Sequence, residues 1–357
     1  MDTGISRDTA RTAAARAGLA GARDARAVGP GPDAESLRAA YLDLLKLSLC
    51  DLAGASTVSV GAMPDGTVMA RELSGHGLRL RAAGMDWPLQ GVTMTGLSRL
   101  DDLQLCVESV VSDGVEGDLV EAGAWRGGAS ILMRATLDSL GDDRAVWVAD
   151  SFQGFPEGAE RDPVADLSSF EFLAVPAEEV EANFARLGLE RGVRLVEGFF
   201  EETLPGLAGE SWAIARLDGD TYDATRVSLE SLYDGLSVGG YLIVDDYGGF
   251  DECRDAVEDF RRERGIVEPI EAVDWTCVRW RKGADAPGTA PAAAAPGANG
   301  PAGRAKAAPA RRPALRTARE VELAEELKQT RARLEEAESR ATRPSKLRSR
   351  LGRLRAR

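Results

Sequence analysis

Residues 118–150, DLVEAGAWRGGASILMRATLDSLGDDRAVWVAD, decide the fold of this chain. The short apolar run DLVEAG leads into a glycine-containing turn, the helical pattern GASILMRATLDSL follows, and AVWVAD forms a second apolar run. A strand, a helix and a strand of these lengths form a βαβ unit, in which the two strands run parallel. The stretch therefore predicts the start of an α/β domain.

The same alternation continues to about residue 282. In chain order the predicted elements are the helix PAEEVEANFARLGL, the strand VRLVEG, the strand WAIARLD, the helix DATRVSLESLYDGL, the strand YLIVDD and the helix DECRDAVEDFRRERG. Two closing strands are expected at about 268–272 and 276–280, from their valine, isoleucine and tryptophan content. Strands that alternate with helices predict a largely parallel sheet covered on both faces, with ligands at the carboxyl ends of the strands.

Charge is distributed unevenly along the 357 residues. The chain carries a formal charge of −14, but residues 283–357 contain 17 basic and 8 acidic residues, a net +9, which leaves −23 for residues 1–282. An acidic body repels phosphates, so nucleic acid is disfavoured as a substrate.

The sequence contains no apolar run of the roughly 20 residues that a membrane helix needs and no apolar signal-peptide core. We expect a cytoplasmic protein.

Beyond the predicted sheet, composition divides the chain further. Residues 1–34 are rich in Ala, Gly and Arg and are expected to be a disordered arm, and the Ala/Pro/Gly-rich residues 283–314 form a linker. Residues 315–357 form a basic tail in which Leu323, Leu327 and Leu334 have the spacing of a helical seam. The tail is either a solvated, frayed segment or a helix with coiled-coil spacing that binds a protein partner or an anionic surface such as a membrane or nucleic acid.

Cysteine and histidine usage limits the available chemistry. The four cysteines are far apart and form no CxxC pair, so we expect free, mostly buried thiols. His76 is the single histidine, and we expect it in a surface loop. Zinc is therefore unlikely to be bound, and acid, base or metal chemistry must be carried mainly by carboxylates.

Two features at the ends of the first two strands indicate a nucleoside-containing ligand. After the first strand, Glu121 and the glycines of GAWRGG allow a ligand to approach the backbone closely, although the pattern departs from GxGxxG. Asp150 ends the second strand, where a carboxylate can accept both hydroxyls of a ribose. A glycine turn without function is the alternative to the first feature.

Four further carboxylates follow the next two strands. Asp218 and Asp220 lie in the DGD sequence after one strand, and Asp245 and Asp246 end the other. Neighbouring strand ends would bring these acids together, and a hard divalent cation such as Mg²⁺ would offset their repulsion. Helix capping by single members of the set is the alternative. As pairs on two strand ends, they favour a metal site.

The chain resembles the macrocin O-methyltransferase family from about Tyr41 to Arg281. The resemblance rests on DLVEAGAWRGGAS, VADSFQGFP, RLDGDTYDAT, LSVGGYLIVDDYGGFDECRDAVEDF and DWTCVRW, and on the upstream YLDLLKLSL and GMDWP. It implies a Rossmann-like class I methyltransferase core over residues 118–282 and a helical lid over residues 35–117 that closes on the substrate and makes oligomer contacts, so a homo-oligomer is expected. S-adenosylmethionine and Mg²⁺ are the implied cofactors.

The same resemblance assigns roles to individual residues. Asp218, Asp245 and Asp246 match the metal ligands, and Asp220 matches the general base, although Asp218 and Asp220 could exchange these two roles. The cofactor-binding positions match Glu121, Gly123, Gly127, Asp150, Ser151, Phe152, Gly198 and Phe199.

The implied reaction is methylation of a hydroxyl of a (deoxy)sugar on a natural product or glycan, as in antibiotic biosynthesis. A cation lowers the pKa of such a hydroxyl, and a carboxylate can take its proton. Two alternatives stay open. One is methylation of a catechol-type phenol, and the other is a noncatalytic interaction protein that uses its tail helix. The basic tail and its linker lie outside the family pattern, and they could tether an enzyme to a protein assembly or a membrane surface.

Overall fold

A seven-stranded sheet organises the structure, a computed structural model that describes residues 32–62, 68–156, 168 and 170–284. Its order is β5-β4-β3-β6-β7-β9-β8, and a separate antiparallel pair consists of β1 and β2. In chain order the strands are β1 (Val58–Ala62), β2 (Val68–Glu72), β3 (Asp118–Ala122), β4 (Val146–Asp150), β5 (Val193–Glu197), β6 (Trp212–Leu217), β7 (Leu236–Val244), β8 (Glu271–Ala272) and β9 (Val278–Arg281).

The pairing of the strands confirms the predicted topology. The strands β5, β4, β3, β6 and β7 are parallel, whereas β9 runs antiparallel to both β7 and β8. The chain passes from β3 to β4 and β5 on one side and then returns to place β6 on the other side of β3. Ligands bind at such a switch point, at the carboxyl edge of the sheet.

Helices connect these strands and cover the sheet. They are α1 (Ala34–Leu49), α2 (His76–Ala82), α3 (Leu97–Ser112), α4 (Gly128–Leu140), α5 (Ala177–Leu187), α6 (Phe200–Thr203), α7 (Tyr222–Leu232) and α8 (Asp251–Arg264). Local sequence sets several of their ends: the Asp33 carboxylate accepts the Ser36 N–H at 2.8 Å at the start of α1, and Gly141 ends α4 at φ +73°. A carboxylate at an N-cap and a glycine in the left-handed region are favourable at these positions.

Two hydrophobic cores lie on opposite faces of the sheet. Successive side chains of a strand point to opposite faces, so Leu119 joins one core and Val120 joins the other. The central strand β6 is buried along its whole length. On one face Trp212 packs edge-to-face on Trp147, with ring centroids 5.7 Å apart. A sheet covered on both faces leaves its carboxyl edge as the natural place for a ligand.

The predicted helical lid, residues 35–117, is only partly helical. It contains α1, α2 and α3, but also the antiparallel pair β1 and β2, which the sequence analysis did not predict. Val60 of β1 is buried, and the buried Arg81 of α2 donates to the Val58 carbonyl at 2.9 Å and to the Asp86 carboxylate at 2.7 Å. The pair was missed because it lies outside the alternation of strands and helices that identified the other strands, and because a buried arginine from another element holds it in place.

Other predictions concern single residues and the chain ends. All four cysteines are free and buried, as expected. His76 is exposed, but it begins α2 instead of lying in a loop.

The chain divides into two units, Met1–Thr289 and Ala290–Arg357. The predicted basic tail, nearly all of the linker and nearly all of the N-terminal arm lie outside the described residues. No helix in the described ranges is long and apolar enough to cross a bilayer.

The two-faced core makes a direct stability prediction. Leu119→Ala removes a fully buried side chain from β3 and should lower the free energy of unfolding by about 2–5 kcal/mol. Leu105→Ala makes the same change on α3 at a side chain that is 59% exposed, and it should change that energy by less than about 0.5 kcal/mol. Urea unfolding followed by tryptophan fluorescence measures both, and equal losses would contradict the burial assigned to β3.

Candidate active site

A cavity of about 580 Å³ opens at the carboxyl edge of the sheet, beside β3 and β6, where the order of the strands in the sheet reverses. Loops after β3, β4, β6 and β7 line it, together with residues 84–87 and 93–95 of the N-terminal segment and residues 275–276 before β9. The predicted ligand edge and the observed cavity coincide.

The turn between β3 and α4 is held against the end of β4. One Asp150 carboxylate oxygen accepts the backbone N–H groups of Ala124 at 2.8 Å and Trp125 at 3.1 Å, and the other accepts the N–H of Phe152 at 2.9 Å. Asp150 therefore fixes the glycine turn as well as lining the cavity. In addition, Gly123 has φ +93°, and a Cβ there would stand 1.9 Å from the Asp218 carbonyl oxygen. Only glycine fits this approach of β3 to β6.

Arg126, in the same turn, ties it to the N-terminal segment. Its guanidinium donates to the carbonyls of Leu89 at 3.1 Å and Gly91 at 2.9 Å, and it lies 4.2 Å from the centroid of the Trp125 ring. The Trp125 indole in turn donates to the Phe172 carbonyl at 3.0 Å. These contacts join the glycine turn to the segment before α3 and to the segment before α5, and they were not predicted from the sequence.

The eight predicted cofactor residues divide into two groups. Glu121, Gly123, Asp150, Ser151 and Phe199 line the cavity. Gly127, Phe152 and Gly198 are outside its lining but shape the loops: all three have positive φ, and the Gly198 N–H donates to the Asp150 carbonyl at 3.0 Å.

A buried arginine connects the end of β3 to the acids that follow β6 and β7. The Arg216 guanidinium, in the central strand β6, donates to Glu121 at 2.6 Å and to Asp218 at 2.8 Å, and it also binds Asp245. Burial raises the pKa of Glu121 to about 7, although Arg216 and the Ser130 hydroxyl oppose that rise. Burial works against the charge of Arg216 as well, but its three acidic neighbours raise its pKa well above the ordinary value.

The acids after β6 and β7 are brought together, but in two separate environments. Ligand oxygens of Asp218, Asp220 and Asp246 lie within 4.8 Å of one another. Asp245 is the fourth predicted acid, and its two oxygens bind Arg216 and Arg99. We call Asp218, Asp220 and Asp246 the acidic cluster. Membership of Asp245 in a metal site stays a prediction.

The electrostatics of the acidic cluster favour a cation. Burial raises the pKa of Asp246 well above its ordinary value, and the facing carboxylates of Asp220 and Asp218 raise it further. Asp245 shows the opposite shift: its pKa is lowered because Arg216 and Arg99 outweigh the effect of burial. Three close carboxylate oxygens form a donor set that suits a hard divalent cation.

Arg99, in the first turn of α3, completes this network. It binds Asp245, forms an ion pair with Asp274 at 2.9 Å and donates to the Gly84 carbonyl at 3.3 Å. Neither Arg99 nor Arg216 was predicted as a site residue from the sequence. Arg216 left a signal, because an arginine inside the apolar strand WAIARL is buried only if acids pair with it.

Comparisons with known proteins agree with this geometry. The family model described as Macrocin-O-methyltransferase (TylF) matches residues 39–282. A Streptomyces olivaceus protein named 8-demethyl-8-(2,3-dimethoxy-alpha-L-rhamnosyl)-tetracenomycin-C 4'-O-methyltransferase is 48% identical over 254 residues, which are 69% of this chain and 94% of that protein. The Mycinamicin III 3''-O-methyltransferase of Micromonospora griseorubida is 39% identical over 253 residues, 68% of this chain and 96% of that protein.

A solved structure shows the same fold. The O-methyltransferase NovP superposes with a TM-score of 0.61 at 38% sequence identity, over 69% of this chain and 100% of that chain. The family match begins and ends within two residues of the range over which the sequence motifs carried the resemblance, and confirms it. The chain therefore belongs to the macrocin O-methyltransferase family and is an S-adenosylmethionine-dependent O-methyltransferase.

Proposed function

We propose that this enzyme methylates a hydroxyl of a deoxysugar carried by a natural product or glycan, with a divalent cation, Mg²⁺, at the acidic cluster. The observation that carries the proposal is the position of three converging carboxylates at the same edge of the sheet as the glycine turn and Asp150. The names of two relatives describe methylation of a rhamnosyl tetracenomycin and of mycinamicin III. These names support a sugar acceptor over a catechol.

The cavity wall at β3 and β4 is suited to the methyl donor. Asp150 stands where a ribose would be held, and Gly123, Ser151 and Phe199 line the adjoining wall. When bound, S-adenosylmethionine supplies a methyl group on a positively charged sulfur. Among the described residues, nine carboxylate side chains and only two basic ones line the cavity, so its charge complements a cationic donor.

We propose that Asp218 and Asp246 hold the cation. Both belong to the acidic cluster, and both match metal ligands of the family. A divalent cation there would lower the pKa of a sugar hydroxyl and fix the position of its oxygen. Asp245 holds Arg216 and Arg99 beside this position and is the remaining acid that the resemblance assigns to the metal.

Asp220 is the proposed general base. A carboxylate oxygen of Asp220 lies within 4.8 Å of ligand oxygens of Asp218 and Asp246. The backbone of Asp220 has φ +55°, so the chain leaves the extended conformation of the strand at this residue. Asp220 would accept the hydroxyl proton, so that the oxygen's electron pair could bond to the methyl carbon while the bond from that carbon to the donor's sulfur breaks and S-adenosylhomocysteine leaves. Holding donor and acceptor side by side on rigid strand ends supplies the gain of proximity.

The metal proposal predicts that a chelator abolishes methyl transfer and that Mg²⁺ restores it. Asp218→Asn and Asp246→Asn should each weaken Mn²⁺ binding, measured by electron paramagnetic resonance, by at least about tenfold, because each removes a charged oxygen ligand. Asp143→Asn is the control, since this aspartate is 81% exposed and lies outside the cavity. Full activity after exhaustive chelation would contradict the proposal.

The base proposal predicts that Asp220→Asn lowers kcat by about 10²- to 10⁴-fold, because that is the usual contribution of a positioned base. Its affinity for S-adenosylhomocysteine, measured by calorimetry, should stay close to that of the unchanged enzyme. Single-turnover methyl transfer with saturating donor gives the rate. A loss smaller than tenfold would assign proton removal to another group.

The donor proposal predicts a defect in binding for Asp150→Asn. The amide would place a donor against backbone N–H groups, so affinity for S-adenosylhomocysteine should fall by about 10- to 100-fold. Asp118→Asn is the matched control, because Asp118 accepts the Ala145 N–H at 2.8 Å at the opposite edge of the sheet. Calorimetric titration compares the two, and equal affinities would contradict the assignment of Asp150.

A further inference from the structure

Residues 84–95, which we call the strap, connect α2 to α3 and border the cavity at both of their ends. Residues 84–87 and 93–95 line the cavity, and residues 88–92 lie between these two stretches. Backbone hydrogen bonds to β1 hold only part of the strap, because the Leu89 N–H donates to the Val58 carbonyl at 3.0 Å. The remainder depends on contacts with other elements.

The glycine turn holds the middle of the strap. The Arg126 guanidinium donates to the carbonyls of Leu89 at 3.1 Å and Gly91 at 2.9 Å. The Gly128 N–H donates to the Val92 carbonyl at 3.0 Å, and a Cβ on Gly128 would stand 2.6 Å from that carbonyl oxygen. The backbones of the turn and the strap are thus in direct contact, so a displacement of one moves the other.

The same turn forms part of the wall that suits the methyl donor. Trp125 lines the cavity directly before Arg126, and its N–H donates to the Asp150 carboxylate at 3.1 Å. The backbone of Trp125 has φ +49°, a conformation that residues other than glycine adopt only where their surroundings impose it. The Arg126 guanidinium lies 4.2 Å from the centroid of the Trp125 ring. A ligand against this wall therefore acts on the residue next to Arg126.

The two ends of the strap contact the arginines of the acidic edge. Arg99 donates to the Gly84 carbonyl at 3.3 Å, and Arg216 donates to the Thr95 hydroxyl at 3.2 Å. Both arginines also bind Asp245. The strap is thus attached to the donor wall at its middle and to the charged network after β6 and β7 at its ends.

We infer that Arg126 is a positioning residue that couples the methyl-donor site to the strap, so that the strap becomes ordered when the donor site is filled. The inference goes beyond the proposed function, since it concerns the response of the enzyme to its cofactor and holds for any acceptor. Coupling between two sites is reciprocal. An acceptor that contacts the strap therefore binds more tightly to the enzyme that already holds S-adenosylmethionine.

The test is hydrogen–deuterium exchange of the full chain, followed by mass spectrometry, with and without saturating S-adenosylhomocysteine. We expect S-adenosylhomocysteine to slow amide exchange in peptides from the strap by at least about tenfold, because ordering a segment suppresses its local opening. Peptides from the glycine turn should be slowed as well, and they report that the site is occupied.

Variants of Arg126 connect this effect to one side chain. Arg126→Met removes the hydrogen bonds to the strap, so the slowing in the strap should fall below about twofold while the slowing in the glycine turn persists. A purely structural role would speed exchange equally with and without S-adenosylhomocysteine and leave their ratio unchanged. Arg194→Met is the matched control, because this guanidinium also lies on a tryptophan ring, 4.6 Å from the centroid of Trp147, but outside the cavity lining. It should keep the full ratio.

Arg126→Lys decides the question if Arg126→Met does not fold. Lysine keeps the charge but cannot present a planar guanidinium to several carbonyls at once, so at least about half of the slowing in the strap should be lost. Three results would overturn the inference: no slowing in the strap of the unchanged enzyme, an unchanged ratio in the folded Arg126 variants, or a loss of the ratio in Arg194→Met. None of these results bears on which hydroxyl is methylated, so the proposed function is tested separately.

Discussion

The buried guanidinium of Arg216 is the constraint on which the rest of the site depends. It lies in the central strand of the sheet and binds Glu121, Asp218 and Asp245, so it joins the end of β3 to the acids that follow β6 and β7. Removal of one member of a buried charged group leaves its partners uncompensated, at a cost of about 3–5 kcal/mol. The positions of the acids around the proposed reaction centre therefore follow from one side chain, and the same acids stabilise its charge.

Much of the fold could be predicted because its signals are local. Alternating strands and helices gave the parallel sheet, and the glycines of the first turn gave the ligand edge. The five-residue strands β1 and β2 gave no comparable periodicity, so the helical lid was wrong in part. Arg99 was missed because its partner Asp245 lies 146 residues further along the chain, and periodicity carries no information about such pairs.

The acidic residues show how far strand-end reasoning extends. It predicted that Asp218, Asp220, Asp245 and Asp246 gather at one edge of the sheet, and the structure places all four in the lining of one cavity. It could not predict which way each carboxylate points. Side chains of consecutive residues at a strand end point in alternate directions. Asp246 lies beside Asp218 and Asp220 in the acidic cluster, whereas Asp245 binds two arginines. That difference depends on tertiary contacts from β6 and α3.

Met85, Phe250 and Trp275 line the cavity from connecting segments, whereas the acidic cluster and Asp245 follow the paired strands β6 and β7. Loops tolerate replacement far better than a buried parallel sheet does. A chain built in this way can change the loops at the mouth of its cavity while it keeps the sheet and the acids at the sheet's edge. The architecture therefore gives protein engineers a confined region to randomise.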